Sequence, residues 1–361
     1  MTESPSEIEY HNSGKSAKHS NPVTAKRELS IVIPTLNERT ELPGTLALLA
    51  GQQAVDFEIV LSDGGSTDGT GDLALASGLP VRLVRSERGR ARQLNTGAAA
   101  ATGNWLLFLH ADSHLADPLA IRRGIDALTA GDGSRRAAGH FRLRFRHSRP
   151  VAGFGYRYYE QKALLDRAGC AHGDQGLLLP AGLLAEYGGF DESFPPLAET
   201  RLADRLRAAG RWRLLSDEIG SSARRFEAEG LRQRQTLNAV IMALAETGYQ
   251  ELLDRLPSSY RPQNEAGRLE LADYLGALRS LIDGWPATER KLFWGKIGKY
   301  VSNNCWQVAF LGDVLLNGPA GTPLLDIYDR WLAGACRSAA AGQLAAVLAR
   351  CWLYSQRGSQ R

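Results

Sequence analysis

The stretch WLLFLHADSH, Trp105 to His114, joins five large apolar residues directly to three groups that can bind a metal or carry a proton: His110, Asp112 and His114. The apolar run reads as a buried parallel strand, and no turn residue separates it from the polar end. A carboxylate at the mouth of such a strand must be solvated, capped or paired, because burying it bare is costly. His110 and His114 fit equally well as satisfied surface histidines. Similar polar clusters follow three other apolar runs: PTLNE (Pro34–Glu38), SDGGSTDGT (Ser62–Thr70) and SERGRARQLNTG (Ser86–Gly97). Singly, each has an ordinary explanation as a turn, a helix cap or a solvated basic face. Together they offer hydroxyls, carboxylates, arginines and flexible backbone to one ligand, provided the fold gathers them at one edge.

The elements that precede these clusters predict such a gathering. LSIVIP from Leu29, FEIVLS from Phe57, VRLVRS from Val81 and NWLLFLH from Asn104 alternate with helical patterns over Glu41–Gly51, Asp72–Ser77 and Gly89–Ala101. Alternation of this kind predicts a mostly parallel sheet flanked by helices, with ligands bound beyond the carboxyl ends of the strands. After Gly139 the pattern changes. GHFRLRF alternates as a half-exposed antiparallel strand, GDQGLLLP offers another, and helices over Gly182–Tyr187 and Leu202–Ala209 precede WRLLS. From about residue 230 the chain reads as helical: Leu231–Gly248, Ala266–Asp283, Glu289–Leu316, and Leu324 onward. The expected organisation is a polar tail over 1–28 that stays disordered, an α/β domain over 29–229, and a helical C-terminal region over 230–361.

Composition bounds the rest. With 361 residues, 43% hydrophobic and 23% charged, the chain is globular, and a net charge of +4 without a long basic run gives no nucleic-acid arm. Cys170, Cys305, Cys336 and Cys351 show no CxxC spacing and read as reduced thiols, which together with the absence of an apolar leader points to a cytoplasmic protein. No stretch approaches the roughly 20 uncharged apolar residues of a membrane span. GTGDLA (Gly69–Ala74) matches a dinucleotide fingerprint on paper, but it starts seven positions after its strand and follows the second strand, not the first. Hydride transfer is set aside.

Taken in order, SIVIPTLNE, EIVLSDGGSTDGT, GRARQLNTGAAAATGNWLLFLHADS, GHFRLRF, GDQG, GGFDE and SARRF resemble the motifs of the inverting nucleotide-sugar glycosyltransferases of family 2, which have the GT-A fold. The similarity spans about Leu29 to Gly230. It implies a GT-A-like α/β fold and transfer of a sugar from a UDP- or GDP-linked donor to an acceptor hydroxyl. Such proteins place Asp-x-Asp where this chain has His110-Ala111-Asp112, to hold Mn²⁺ or Mg²⁺ against the diphosphate. By resemblance Asp112 is a metal ligand, and the imidazole of His110 in place of a carboxylate favours Mn²⁺. Pro34, Thr35, Asn37 and Glu38 match the loop around the base and ribose, Asp63 the carboxylate that meets the base, and Arg90 a nucleotide-sugar contact. Arg224 and Arg225 match the late arginine segment that closes on the diphosphate.

Inversion needs one carboxylate on the acceptor side as base. In PPLAETRLADRLRAAGR, counting back from the helix puts Glu199 at the family's base position, with Asp191 and Glu192 as substitutes if the register slips. Its ordinary alternative is stabilisation of the first helical turn. Asp174 and Gln175 of GDQG sit where the acceptor approaches, though a turn explains them almost as well. Two other functions stay open: a sugar-nucleotide-binding protein without turnover, and a nucleotidyltransferase. Trp285, Phe293, Trp294, Trp306 and Trp331, near Lys291, Lys296 and Lys299, form either a helical core, the commoner outcome, or a peripheral membrane or acceptor contact.

Overall fold

The computed structural model describes residues 26–130, 137–148, 153–193, 197–256, 267–316 and 321–356. The expected disorder of 1–28 falls, for residues 1–25, outside this set. Seven strands form one sheet: β1 (Leu29–Thr35), β2 (Phe57–Asp63), β3 (Val81–Arg85), β4 (Trp105–Phe108), β5 (Ala138–Arg146), β6 (Leu177–Pro180) and β7 (Trp212–Ser222), in the order β3-β2-β1-β4-β6-β5-β7. The first four are mutually parallel, β6 runs antiparallel to β4 and β5, and β5 pairs in parallel with β7. This is the GT-A-like, mostly parallel α/β architecture the resemblance implies.

Between the strands lie α1 (Leu42–Ala50), α2 (Thr70–Leu75), α3 (Arg90–Ala100), α4 (Ala120–Thr129), α5 (Phe154–Lys162), α6 (Ala181–Glu186) and α7 (Ala198–Ala208). β1 is buried along its whole length, so Leu29, Ile31 and Ile33 feed one face of the core while Val32 feeds the other. α3 crosses close above β1 and β2 because residue 97 is glycine: a Cβ there would overlap Val32. Deeper in the same contact, Gln93 donates to the carbonyls of Thr35 (2.7 Å) and Ser62 (3.0 Å), tying the ends of β1 and β2 together.

After β7 the chain is helical: α8 (Arg224–Glu229), α9 (Leu231–Glu246), α10 (Glu251–Asp254), α11 (Leu271–Asp283), α12 (Ala287–Asn303), α13 (Trp306–Leu316), α14 (Pro323–Ile327), a π-helical turn over Tyr328–Leu332, α15 (Ala333–Cys336) and α16 (Ala339–Ser355). The single helix expected over Glu289–Leu316 is two, broken at Asn304 and Cys305. The one expected from Leu324 onward is likewise divided, and α16 restarts where Ser338 accepts a hydrogen bond from Ala341 N. These helices have their own apolar cluster, with Leu237, Ile241, Leu275, Leu278, Phe293 and Ile297 at its centre. Trp285, Phe293, Trp294 and Trp306 pack into core, whereas Trp331 is 73% exposed. No single described helix is long and apolar enough to cross a membrane; the segments Pro323–Cys336 and Ala339–Ser355 reach that composition only as a pair bent by 92°.

Candidate active site

The apolar strand at Trp105 ends one turn before its polar residues. β4 stops at Phe108, and the chain folds over so that His110 N donates to Ser113 Oγ at 2.9 Å. Thr45 of α1 holds this turn from behind, its hydroxyl lying 2.7 Å from the Ala111 carbonyl and 3.0 Å from that of Ser113. Asp112 is thereby fixed in place while 9% exposed. His114 has a different part: its backbone exchanges two 2.8 Å hydrogen bonds with Gly220 of β7, locking the loop to the sheet.

A cleft of about 920 Å³ opens in front of this turn. Pro34, Glu38, Arg90, His110, Asp112, Asp174, Gln175, Glu199, Arg224 and Arg225 all line it, as named from the sequence. Thr35, Asn37 and Asp63 do not, and the reason is local. The Asp63 carboxylate accepts hydrogen bonds from Ser66 N (2.9 Å), Gly65 N (3.2 Å), Thr35 Oγ1 (3.3 Å) and the Ser66 hydroxyl, so it organises the loop after β2. Asn37, at φ +57°, clips that loop to the one after β1 by accepting from Thr67 N and donating its own N–H to Ser66 Oγ. Asp191 and Glu192 also lie off the cleft, the former paired with Arg201 and the latter with Asn95.

The charges are arranged in two groups. Arg224, at the start of α8, lies 2.9 Å from Glu38, 2.7 Å from Glu41 and 3.8 Å from Asp112. Burial raises the carboxyl pKa of Glu38 and of Asp112, and the guanidinium works against the rise in both. Across the cleft, Glu199 in the first turn of α7 is buried and accepts a 2.5 Å hydrogen bond from Arg90 Nε at the start of α3. Gly173 brings the groups near each other: a Cβ at this position would overlap Glu199 Oε1 and stand 2.8 Å from His110 Nε2.

Several acceptors here lack partners. His110 Nε2, Asp174 Oδ1 and Gln175 Oε1 are buried without a hydrogen bond. Burial, reinforced by Arg90 and Arg225, drives the His110 pKa well below its ordinary value, so the imidazole is neutral. Burial, with Asp112 nearby, pushes the Asp174 carboxyl up to about 6. A neutral imidazole nitrogen without a partner and a buried carboxylate two residues away are suitable donors for a divalent ion. No cluster of three such side chains capable of holding a metal occurs among the described residues. The set therefore fits an ion that takes one or two ligands from protein and the rest from substrate phosphates.

Residues outside the sequence expectation complete the cleft. Lys296, Lys299 and Asn303 of α12, Gln307 of α13, Asn238 of α9 and Lys162 of α5 form the wall opposite the strand ends. Lys162 is nearly buried, and desolvation lowers its pKa. His172, whose pKa burial lowers to about 3, is paired with the Thr200 hydroxyl at 2.9 Å. Of these, only Lys296 and Lys299 carried a sequence signal, as basic neighbours of helical aromatics.

Residues 30–178, which hold the strand-end loops and the HADS turn, match the model of Glycosyl transferase family 2. The PGL/p-HBAD biosynthesis glycosyltransferase of Mycobacterium bovis is 49% identical over 98 residues, covering 25% of this chain and 38% of that protein. An uncharacterized glycosyltransferase of Haemophilus influenzae is 35% identical over 86 residues, 23% of this chain and 29% of that one. The chain thus spans well under two thirds of the curated relatives it matches. Among solved structures, a mannosyltransferase from Pyrobaculum calidifontis in complex with GDP-Man and Mn²⁺ is similar at 17% identity with a TM-score of 0.47, covering 91% of this chain and 88% of that one. TarS 1-349 of S. aureus in complex with UDP is similar at 17% identity with a TM-score of 0.48, covering 90% and 92%.

Proposed function

We propose that the chain is an inverting glycosyltransferase that moves a sugar from a UDP- or GDP-linked donor to an acceptor hydroxyl, with residues 29–229 carrying the donor chemistry. One observation carries the reading: the donor pair His110 and Asp112 and the carboxylate Glu199, held by Arg90, face one cleft around Gly173. Displacement at the anomeric carbon leaves negative charge on the diphosphate and a proton on the attacking oxygen. Arg224 and Arg225 offer charge-assisted hydrogen bonds to the departing phosphate oxygens. Asp112 and His110 would hold Mn²⁺ or Mg²⁺, which supplies Lewis-acid neutralisation of the leaving group. Glu199 takes the hydroxyl proton as the new bond forms, and its hydrogen bond to Arg90 fixes the direction from which it does so. Asp174 and Gln175, with buried oxygens that lack partners, accept hydrogen bonds from the other hydroxyls of the acceptor.

Donor hydrolysis in the presence of Mn²⁺ tests this. The wild type should release nucleoside diphosphate, and Asp112→Asn and Glu199→Gln should each slow release by about 10²–10⁴-fold. Unchanged rates in both variants overturn the assignment. Donor binding without turnover by the wild type would make the chain a sugar-nucleotide-binding protein, and pyrophosphate release from a nucleoside triphosphate would make it a nucleotidyltransferase.

A further inference from the structure

The helix α9 presents two surfaces besides its core face. Leu237, Ile241 and Leu244 are buried, while Asn238 and Met242 line the polar cleft. Thr236, Val240 and Ala243 face a second hollow of about 610 Å³, whose wall is almost wholly hydrocarbon and aromatic: Tyr158 of α5, Trp294 and Val301 of α12, Leu311 of α13 and Trp352 of α16. Val301, Leu311 and Trp352 at its lip are 37%, 38% and 40% exposed. Leaving this much apolar wall to water is unfavourable, and grooves of this kind mark binding sites. The groove adjoins the cleft: Tyr159, Gln235, Ala239 and Tyr300 line both. A chain lying in the groove therefore rests against residues that also bound the chamber of Glu199 and Asp174. The N-terminal residues 1–25, rich in Ser, Lys, Glu and Asn, have the wrong chemistry to fill it.

Resting on the transferase reading above, we propose that the acceptor is an amphiphile whose hydroxylated head enters the cleft at Glu199 while a long hydrocarbon chain lies in the groove between α5, α9, α12 and α16. The cleft selects by hydrogen bonds and charge; the groove adds affinity in proportion to chain length, since each buried methylene contributes a similar increment.

The test uses the full chain, with n-dodecyl β-D-glucoside below its critical micelle concentration as probe and methyl β-D-glucoside as control. Binding is followed by the fluorescence of Trp294 and Trp352, which line the groove. The dodecyl compound should bind at least about a hundredfold more tightly than the methyl one. Ala243→Phe, which fills the groove, and Val301→Glu, which charges its lip, should each remove at least about tenfold of that advantage. Val301 is partly exposed, so its variant keeps the test open should Ala243→Phe fail to fold. Titration with UDP or GDP and Mn²⁺ on the same samples should be unaltered in both variants. Equal binding of the two glucosides overturns the proposal. So does a chain-length preference that both variants retain, including one that flotation with phosphatidylcholine vesicles traces to general adhesion to a bilayer. Loss of nucleotide binding with intact dodecyl selectivity would instead count against the transferase reading alone.

Discussion

On the strand side of the cleft, Glu38, His110 and Asp112 take their positions from backbone register: each follows a strand whose neighbours on both sides are fixed by hydrogen bonds. On the helical side, Lys296, Lys299 and Asn303 project from α12, whose place depends on side-chain packing. That helix meets α16 at Gly298, where an added Cβ would collide with the backbone of Gly342. The strand side is dense with paired charge and orphaned acceptors, and the helical side with amines, amides and an adjoining apolar groove. The first arrangement suits a ligand of invariant chemistry that must be held within tenths of an ångström. The second suits a ligand recognised through side-chain packing, since repacking helices alters the wall without touching the sheet.

The largest expected difference between the sides is kinetic. Asp112→Asn should lower kcat for both donor hydrolysis and transfer by about 10³-fold, an effect on the reacting centre. Lys299→Ala should leave donor hydrolysis within about twofold and raise KM for the acceptor by about tenfold, as expected for binding lost equally in ground and transition states. Equal losses of hydrolysis in the two variants would show that the walls do not divide the work between donor and acceptor.

This division also explains what the sequence reveals. Strand ends announce themselves, because an apolar run that stops at HADS or PTLNE has few places to go, and the order of such ends identifies a family. Glu199 was reached by counting from a helix register, and it lies in the first turn of α7. Its partner Arg90 is 109 residues away, a pairing no periodicity could reveal. β7 extends to Ser222, well past WRLLS, and the extension is hard to read because DEIGSS is polar, alternates poorly and is much of it only partly covered. α5 escaped notice since FGYRYYEQK is aromatic-rich and composed of residues at home in strands. Asp63 and Asn37 show how residues with ligand-like chemistry also organise their own loops, a contribution that sequence alone does not separate from ligand contact.

A second expected difference lies in pH-dependent stability. Asp174 is partly buried on the strand side, its Oδ1 enclosed without a partner, with a carboxyl held at about 6 against an ordinary 3.8. Its folded pKa is raised, so between those values the folded state binds the proton more tightly than the unfolded chain does. Stability from this group is present below about pH 4, falls as pH rises toward 6, and is flat above. The full cost of ionising it is about 3 kcal/mol. In metal-free buffer, Asp174→Asn should therefore gain stability relative to wild type as pH rises from 4 to 7, read as a narrowing of the Tm drop across that range. Parallel Tm profiles for the two proteins would place Asp174 in contact with water.

The smallest expected effect sharpens the contrast within the helical region itself. Phe293 is 2% exposed at the centre of its cluster, and Phe293→Ala should cost about 3–5 kcal/mol through lost burial and a cavity. Trp331 is also a large aromatic of the helical region, yet it is 73% exposed in the π-helical turn before α15. With most of the ring already in water, Trp331→Ser should change stability by no more than about 0.5 kcal/mol, within reach of a denaturant titration at constant m. A loss of several kcal/mol would mean that the indole is covered in solution. Burial of that kind by a second copy would also make the measured stability rise with protein concentration, so one dilution series separates a covered Trp331 from an exposed one.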